Sequence, residues 1–292
     1  MTNTAWISSY LARQVLFAFF LVLFLAEALW PLRRRKREQL RRLLVNLLLS
    51  ATVFAAGGLL IRPVAMGGAV WAASHSFGML HFLPLPFWAQ FLAGFLLMDL
   101  TFYYWHRLNH THPLLWRFHN VHHVDPDLDV STSFRFHLVE ILYSVFFRIV
   151  QVCLVGILPL TYVIYELVFQ LATMFHHSNL QISIKWERLL NKVLVTPRMH
   201  GVHHSAVGQE TNSNYSVVFS WWDRLNRSIR LNIRQGDITI GVPAYLLPED
   251  NQIVPLMQLP FLKQRPYWRW PSGEASLRKA DPQAPGPGFM LE

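Results

Sequence analysis

Fourteen histidines are spread unevenly over this chain, and seven of them lie between Asp99 and His137. His106 and His110 are four residues apart, which puts both on one face of a helix. His119 stands at helical spacing from the adjacent pair His122–His123. His200 with His203–His204 repeats that pattern roughly eighty residues later. Neutral imidazole is the commonest side-chain metal ligand and suits iron, zinc and copper. An adjacent pair fans out from a helix and could serve two metals. A lone histidine is usually a core or interfacial residue. Eight in three clusters exceed the four ligands of a structural zinc and point to a two-metal site.

The rest of the chain must bring those clusters together. Of 292 residues, 52% are hydrophobic and only 15% are charged, with mean hydropathy +0.25. That is too apolar for an ordinary soluble domain and implies a multi-pass membrane protein. The net charge of +9 does not imply nucleic acid, because much of it sits in Arg33 to Arg42 beside an apolar segment. There it reads as a topology signal. The single cysteine, Cys153, excludes a disulfide framework, a thiolate cluster and a CxxCH haem site. No small-residue cleavage site follows the first apolar run, so that run reads as an anchor rather than a signal peptide.

Hydropathy predicts spans over residues 14–30, 43–61, 86–105, 138–158 and 159–175, the last two forming a hairpin divided near Gly156 and Pro159. Residues 62–84 read as a loop, and everything after His176 as outside the membrane. With the basic run in the cytoplasm, these crossings deliver all three histidine clusters to the cytoplasmic face. Asp99, Tyr103, His106 and His110 share a helical face, so Asp99 is placed to accept a hydrogen bond from a ligand histidine and fix its tautomer. Glu166, Gln170, Thr173 and His177 form a similar stripe. An acid within a span is a functional candidate by default. Residues 214–225 are expected to cover the site and 242–262 to lie at the membrane interface. The tail from Pro271 is expected to be disordered.

These motifs resemble the fatty acid hydroxylase / sterol desaturase superfamily of membrane di-iron enzymes. Three histidine boxes match in order: His106–His110, His119–His123 and His200–His204. Their surroundings are similar too: Asp99 with Tyr104, Trp105 and Arg107; Pro113, Trp116 and Phe118 before box two; Thr132, Arg135, His137 and Glu140 after it. His177-Ser-Asn179, Thr196-Pro197, Asn214-Tyr215 and Trp222 to Leu225 complete the pattern over roughly residues 90–228. Leu138 replaces the usual proline after His137, and Ser216 stands where glycine often follows Asn-Tyr.

The resemblance implies an all-α, multi-pass bundle of about four to five spans with a cytoplasmic, histidine-rich helical cap holding a dimetal site. It implies a di-iron centre held by His106, His110, His119, His122, His123, His177, His200, His203 and His204. Asp99, His137 and Glu140 would support catalysis, with His137 and His176 contacting the ligands or the substrate. The implied reaction is O2-dependent hydroxylation or desaturation of an unactivated C–H bond in a lipid such as a sterol or fatty acyl chain. No HPGG or GxGxxG motif is present, so electrons are expected from a separate donor of the ferredoxin or cytochrome b5/reductase type. Three units are expected: spans and basic loop over 1–85, a catalytic region over 86–230, and an interfacial segment with its tail over 231–292. A bacterial inner membrane is favoured over the endoplasmic reticulum. The rival readings are a zinc-dependent membrane protein, for which no HExxH is present, and a non-catalytic metal binder.

Overall fold

The computed structural model describes residues 3–36, 38–278 and 286–292. Side chains are described from residue 10 onward. Twelve α-helices are described: α1 Asn3–Leu29, α2 Gln39–Ala56, α3 Arg62–Ser74, α4 Phe87–Thr111, α5 Pro113–His123, α6 Leu138–Val155, α7 Pro159–His177, α8 Ile184–Leu190, α9 Pro197–His203, α10 Gly208–Thr211, α11 Trp221–Leu225 and α12 Ile253–Gln258. Among the described residues there is no sheet, only isolated bridges such as Pro31 with Leu180 and Leu194 with Phe219.

Three stretches are long and apolar enough to cross a membrane: Tyr10–Leu29, Gln39–Phe82 and Leu138–Val155. α4 and α7 run beside them but carry acids and amides, Gln90 with Asp99 and Glu166 with Gln170. The expected loop at 62–84 is mostly helix. A π-helical segment, Gly57–Ile61, joins α2 to α3 without a break, and Pro63 falls in the first turn of α3. Proline lacks a donor and crowds the carbonyl four residues back. The widened π turn absorbs that mismatch, so Pro63 does not end the helix.

The expected hairpin forms. Gly156 closes α6 in the left-handed conformation at φ 71°, and Pro159 opens α7. Gly78, at φ 101°, crosses this turn so closely that a Cβ there would sit 2.4 Å from the Cys153 carbonyl oxygen. Only glycine fits such an approach. The apolar core of the bundle lies between these helices, around Met98, Val152, Ile157 and Tyr165.

All of the long rods place one end at the histidines. α1 arrives there through Leu32, whose N–H donates to the Asn179 carbonyl at 2.7 Å. α2 starts there, at Arg42. α4 and α7 end there, at His110 and His177, and α6 starts there, at His137.

Two stretches outside the core make contacts that composition does not announce. Arg33 and Arg42, read as topology signals, are buried. Arg33 donates to the Gln235 side chain at 2.6 Å, and Arg42 pairs with Asp125 at 2.6 Å and with Asp129. A run of like charges carries no sign of which members find buried acids. The expected disordered tail is also partly ordered. Met290 is buried against Val195, Met199 and Leu231, and its carbonyl accepts from Arg188 at 2.9 Å. Its apolar side chain has a place to dock, which the Pro- and Gly-rich composition around it obscures. Residues 279–285 of that tail lie outside the described residues.

Candidate metal centre

Nine buried histidines converge from four helices into two groups. His106, His110, His119, His123 and His203 form the first, and His122, His177, His200 and His204 the second. Within each group the ligand atoms all lie within 4.8 Å of one another. α4 contributes its i, i+4 pair to the first group. The adjacent pairs divide between the groups, because neighbours on a helix point about 100° apart. His123 and His203 turn to the first group, His122 and His204 to the second.

Backbone acceptors fix which nitrogen faces inward. His106 Nδ1–H donates to the Tyr215 carbonyl at 2.7 Å and His203 Nδ1–H to the Ser213 carbonyl at 2.7 Å. In the second group, His122 donates to the Arg135 carbonyl at 3.2 Å and His177 to the Thr173 carbonyl at 2.8 Å. His119 Nδ1–H donates instead to the Glu140 carboxylate at 2.7 Å. A carbonyl can only accept, so each of these rings turns a bare Nε2 lone pair to the interior.

Those lone pairs are crowded together. His122 Nε2 lies 3.1 Å from His177 Nε2, which lies 3.0 Å from His200 Nε2, itself 3.1 Å from His204 Nε2. In the first group, Nε2 of His119, His123 and His203 and both nitrogens of His110 have no hydrogen-bond partner. His122 and His177 both donate through Nδ1, so two bare Nε2 lone pairs face each other at 3.1 Å and repel unless a proton or a cation lies between them. Protonation is disfavoured: burial first, then the neighbouring imidazoles, hold His122, His123, His200 and His204 well below the ordinary histidine range. Burial brings His177 and His203 down to about 3, despite their carbonyl partners. An all-imidazole donor set kept neutral fits a transition metal in each group, and not the oxygen-seeking calcium or magnesium.

The remaining candidates lie outside both groups. Asp99 does not reach a histidine. Its carboxylate accepts from the backbone N–H of Val218 at 3.3 Å and Phe219 at 3.0 Å and from the Trp222 indole at 2.7 Å. It thereby holds the segment whose Tyr215 carbonyl orients His106. His137 caps α6: its Nδ1 accepts from Val139 N–H at 3.1 Å, and its Nε2–H donates to the Met257 carbonyl at 3.1 Å. His176 donates to the Val217 carbonyl at 3.2 Å. Glu166 pairs with Arg148 at 3.1 Å between α6 and α7. Of residues 214–225, expected to cover the site, Tyr215 lies against the first group, with its ring 5.2 Å from that of His110 and 6.0 Å from that of His106. Asp223 pins their turn by accepting from Tyr215 N–H at 2.9 Å and Ser216 N–H at 2.8 Å.

Of the residues behind the second group, sequence reasoning named Thr132 and Arg135 but missed Arg42 as a clamp, Asn46, Asp125 and Asn251. Asp125 accepts from Arg42, from Asn46 at 3.2 Å and from Thr132 at 2.9 Å. Arg135, whose carbonyl holds His122, donates to the Asn46 side chain at 2.8 Å and the Asn251 side chain at 2.9 Å. The signal was there in part: Arg42 and Asn46 are an i, i+4 polar pair in an otherwise apolar helix.

Residues 91–228 match the model of the fatty acid hydroxylase family, and that segment carries all nine histidines of the two groups. These residues belong to the fatty acid hydroxylase family. The hydroxylase-family segment is similar to curated proteins of several kinds. An ornithine lipid hydroxylase of Rhizobium tropici is 30% identical over 164 residues, 56% of this chain and 49% of that protein. An alkylglycerol monooxygenase of Danio rerio is 30% identical over 149 residues, 50% of this chain and 32% of that protein. Human cholesterol 25-hydroxylase is 30% identical over 157 residues, 51% of each chain. The chain thus spans about half the length, or less, of these relatives. No solved structure matches it at a significant level.

Proposed function

We propose that this protein is a membrane-bound di-iron oxygenase that hydroxylates, or desaturates, an unactivated C–H bond of a lipid. The observation that carries the reading is the pair of buried histidine groups, five and four, whose ligand atoms lie within 4.8 Å of one another in each group. His106, His110, His119, His123 and His203 would hold one iron, and His122, His177, His200 and His204 the other. When bound, the irons supply activation of O2, the oxidant that an inert C–H bond requires. Electrons come from a separate donor of the ferredoxin or cytochrome b5/reductase type.

The chain's own residues position and insulate. Glu140 holds the His119 ring and raises its basicity as a ligand, the role of a carboxylate behind a metal-bound imidazole. The carbonyls of Tyr215, Ser213, Arg135 and Thr173 fix four more rings. Asp99 acts on His106 at one remove, through the Tyr215 segment. His137 fixes the start of α6, from which Glu140 projects. The named relatives modify a sterol, an alkylglycerol and an ornithine lipid. They share a polar group on a long apolar body, which is the substrate class proposed here. The basic loop is placed in the cytoplasm, with the metal centre on that side of a bacterial inner membrane.

Anaerobic purification in detergent, with iron and zinc quantified per chain, tests this. About two irons per chain, falling to about one in His203→Ala, is the expected result for a two-metal site. Zinc alone, persisting after reconstitution with ferrous iron, would favour a zinc-dependent protein. Neither metal under both conditions would leave a non-catalytic role.

A further inference from the structure

The face beside box three is not used by this chemistry. Residues 192–195 lie edge to edge with 218–221. Val195 N–H donates to the Val218 carbonyl at 3.1 Å, Ser220 N–H to the Val193 carbonyl at 2.9 Å, and the Trp221 indole to the Lys192 carbonyl at 2.9 Å. The unit so formed, α8 with α11, exposes Trp186, Leu189, Leu190, Val193, Trp221 and Leu225. Trp186 is 58% exposed and Leu225 71%. Residues 186, 189, 190 and 193 recur at helical spacing, so they form one apolar stripe. Lys185, Lys192, Arg224 and Arg227 are exposed around it. An apolar patch with a basic rim marks an interaction surface.

Depth in the bundle decides what covers it. Phe219 packs into the bundle core, with its ring 6.0 Å from that of Phe95 and stacked at 4.4 Å on Trp221. Asp99 binds the same segment. On the other side of α4, the Met98 carbonyl accepts from Gln151 of α6 at 2.9 Å. Gln151 lies in α6, an apolar helix of membrane length, eleven residues or roughly 16 Å beyond Glu140 of the site, and Asp99 lies seven residues or roughly 10 Å along α4 from His106 at 1.5 Å per residue. Residues 218–222 therefore sit alongside the membrane-length helices, roughly 10 Å along α4 from His106, not above the end of the bundle. The α4 side chains next to them continue the apolar face outward, with Tyr104 and Leu108 exposed and Tyr104 bonded to Asn226 at 3.0 Å.

We propose that the α8–α11 face is seated in the membrane interface against a leaflet containing anionic lipid. Trp186, Trp221 and the leucines lie in the boundary of headgroups and acyl chains, and Lys185, Lys192 and Arg227 reach lipid phosphates, while Arg224 is tied to Asn191. Amphipathic tryptophan and extended basic side chains both favour that layer. Each basic side chain near an anionic surface adds a comparable increment of attraction. This departs from the expectation that everything after His176 lies outside the membrane, with only 242–262 at its interface. The inference stands apart from the metal chemistry.

The test places single cysteines at Leu189, Leu225 and Ser272 in a Cys153→Ala background, each labelled with an environment-sensitive fluorophore. Ser272 lies in an exposed polar turn and is the aqueous reference. The full chain is reconstituted in vesicles of phosphatidylcholine and phosphatidylglycerol. Each label is then challenged with lipid-borne nitroxide and with a water-soluble paramagnetic quencher. Labels at 189 and 225 should be quenched by the lipid probe and shielded from the aqueous one, with the reverse at 272. Nitroxide on phosphatidylglycerol should quench at least about twofold more than on phosphatidylcholine, and Lys185→Glu with Lys192→Glu should abolish that preference. If the labels at 189 and 225 behave like the one at 272, the proposal is overturned and the face is free for a soluble acidic partner. If no preference for phosphatidylglycerol is seen in the parent, the anionic part of the proposal fails.

Discussion

The two histidine groups are built alike at the ring nitrogens and differently behind them. The first is held from within the hydroxylase-family segment: Tyr215, Ser213 and Glu140 anchor three of its rings. The second leans on residues outside that segment. Arg135 holds His122 and is itself held by Asn46 and Asn251. Arg42 ties together Asp125 and Asp129, which follow box two. Glu27 of α1 accepts from Val130 N–H at 3.1 Å and from Asn179 N–H at 2.8 Å, two residues beyond His177. The first two helices are therefore part of the frame of the second group, and not only membrane anchors. A ligand set can belong to a family segment while its rigidity is supplied from elsewhere in the chain.

The largest expected effect separates the groups directly. His203→Ala should cost the first group's ion and His200→Ala the second's, each leaving about one of two irons in anaerobic metal analysis. If either variant loses both ions, the groups do not act independently and the comparison fails. Arg42→Met should come next. It leaves Asp125 and Asp129 buried without their cation, a loss of about 3–5 kcal/mol when a buried pair is broken. Denaturation in mixed micelles should show it, together with weaker metal retention in the second group. Unchanged stability would mean that the N-terminal helices do not frame that group.

Glu140→Gln keeps the shape and removes the charge behind His119. Metal affinity of the first group should fall about 10–100-fold, the usual cost of losing such a partner, with the second group unchanged in competition with a chelator. Equal weakening of both groups would contradict the division. Glu27→Gln should be mildest, since the amide oxygen still accepts from Val130 and Asn179. A loss of no more than about 1 kcal/mol is expected, the worth of one ordinary hydrogen bond. Hydrogen exchange at those two amides reads it locally, and a change confined to distant helices would place Glu27 outside the frame.

The comparison also separates what was readable from what was not. The ligand residues stood out because metal coordination by imidazole needs fixed helical spacings, and i, i+3 and i, i+4 are visible in any chain. The α6–α7 hairpin was visible because Gly156 and Pro159 have strong local preferences. Asp99 was misread in its partner. Its helical face points along α4 toward His106, but three donors from residues 218–222 reach it first. Pro63 was misread as the start of a loop because nothing in its neighbourhood announces a π turn.

By itself the sequence determined an apolar helical chain, eight histidines at ligand spacing with His177 added by family resemblance, and the turns that return those histidines to one end of the bundle. These are local matters of side-chain chemistry and backbone preference. Tertiary structure alone decided that His123 and His203 serve one group while His122 and His204 serve the other. It also decided that Arg42 is a buried clamp, that Met290 docks beside box three, and that residues 218–222 lie along α4. Each depends on which faces meet across a hundred or so residues, and helical period says that a face exists without saying what it will touch.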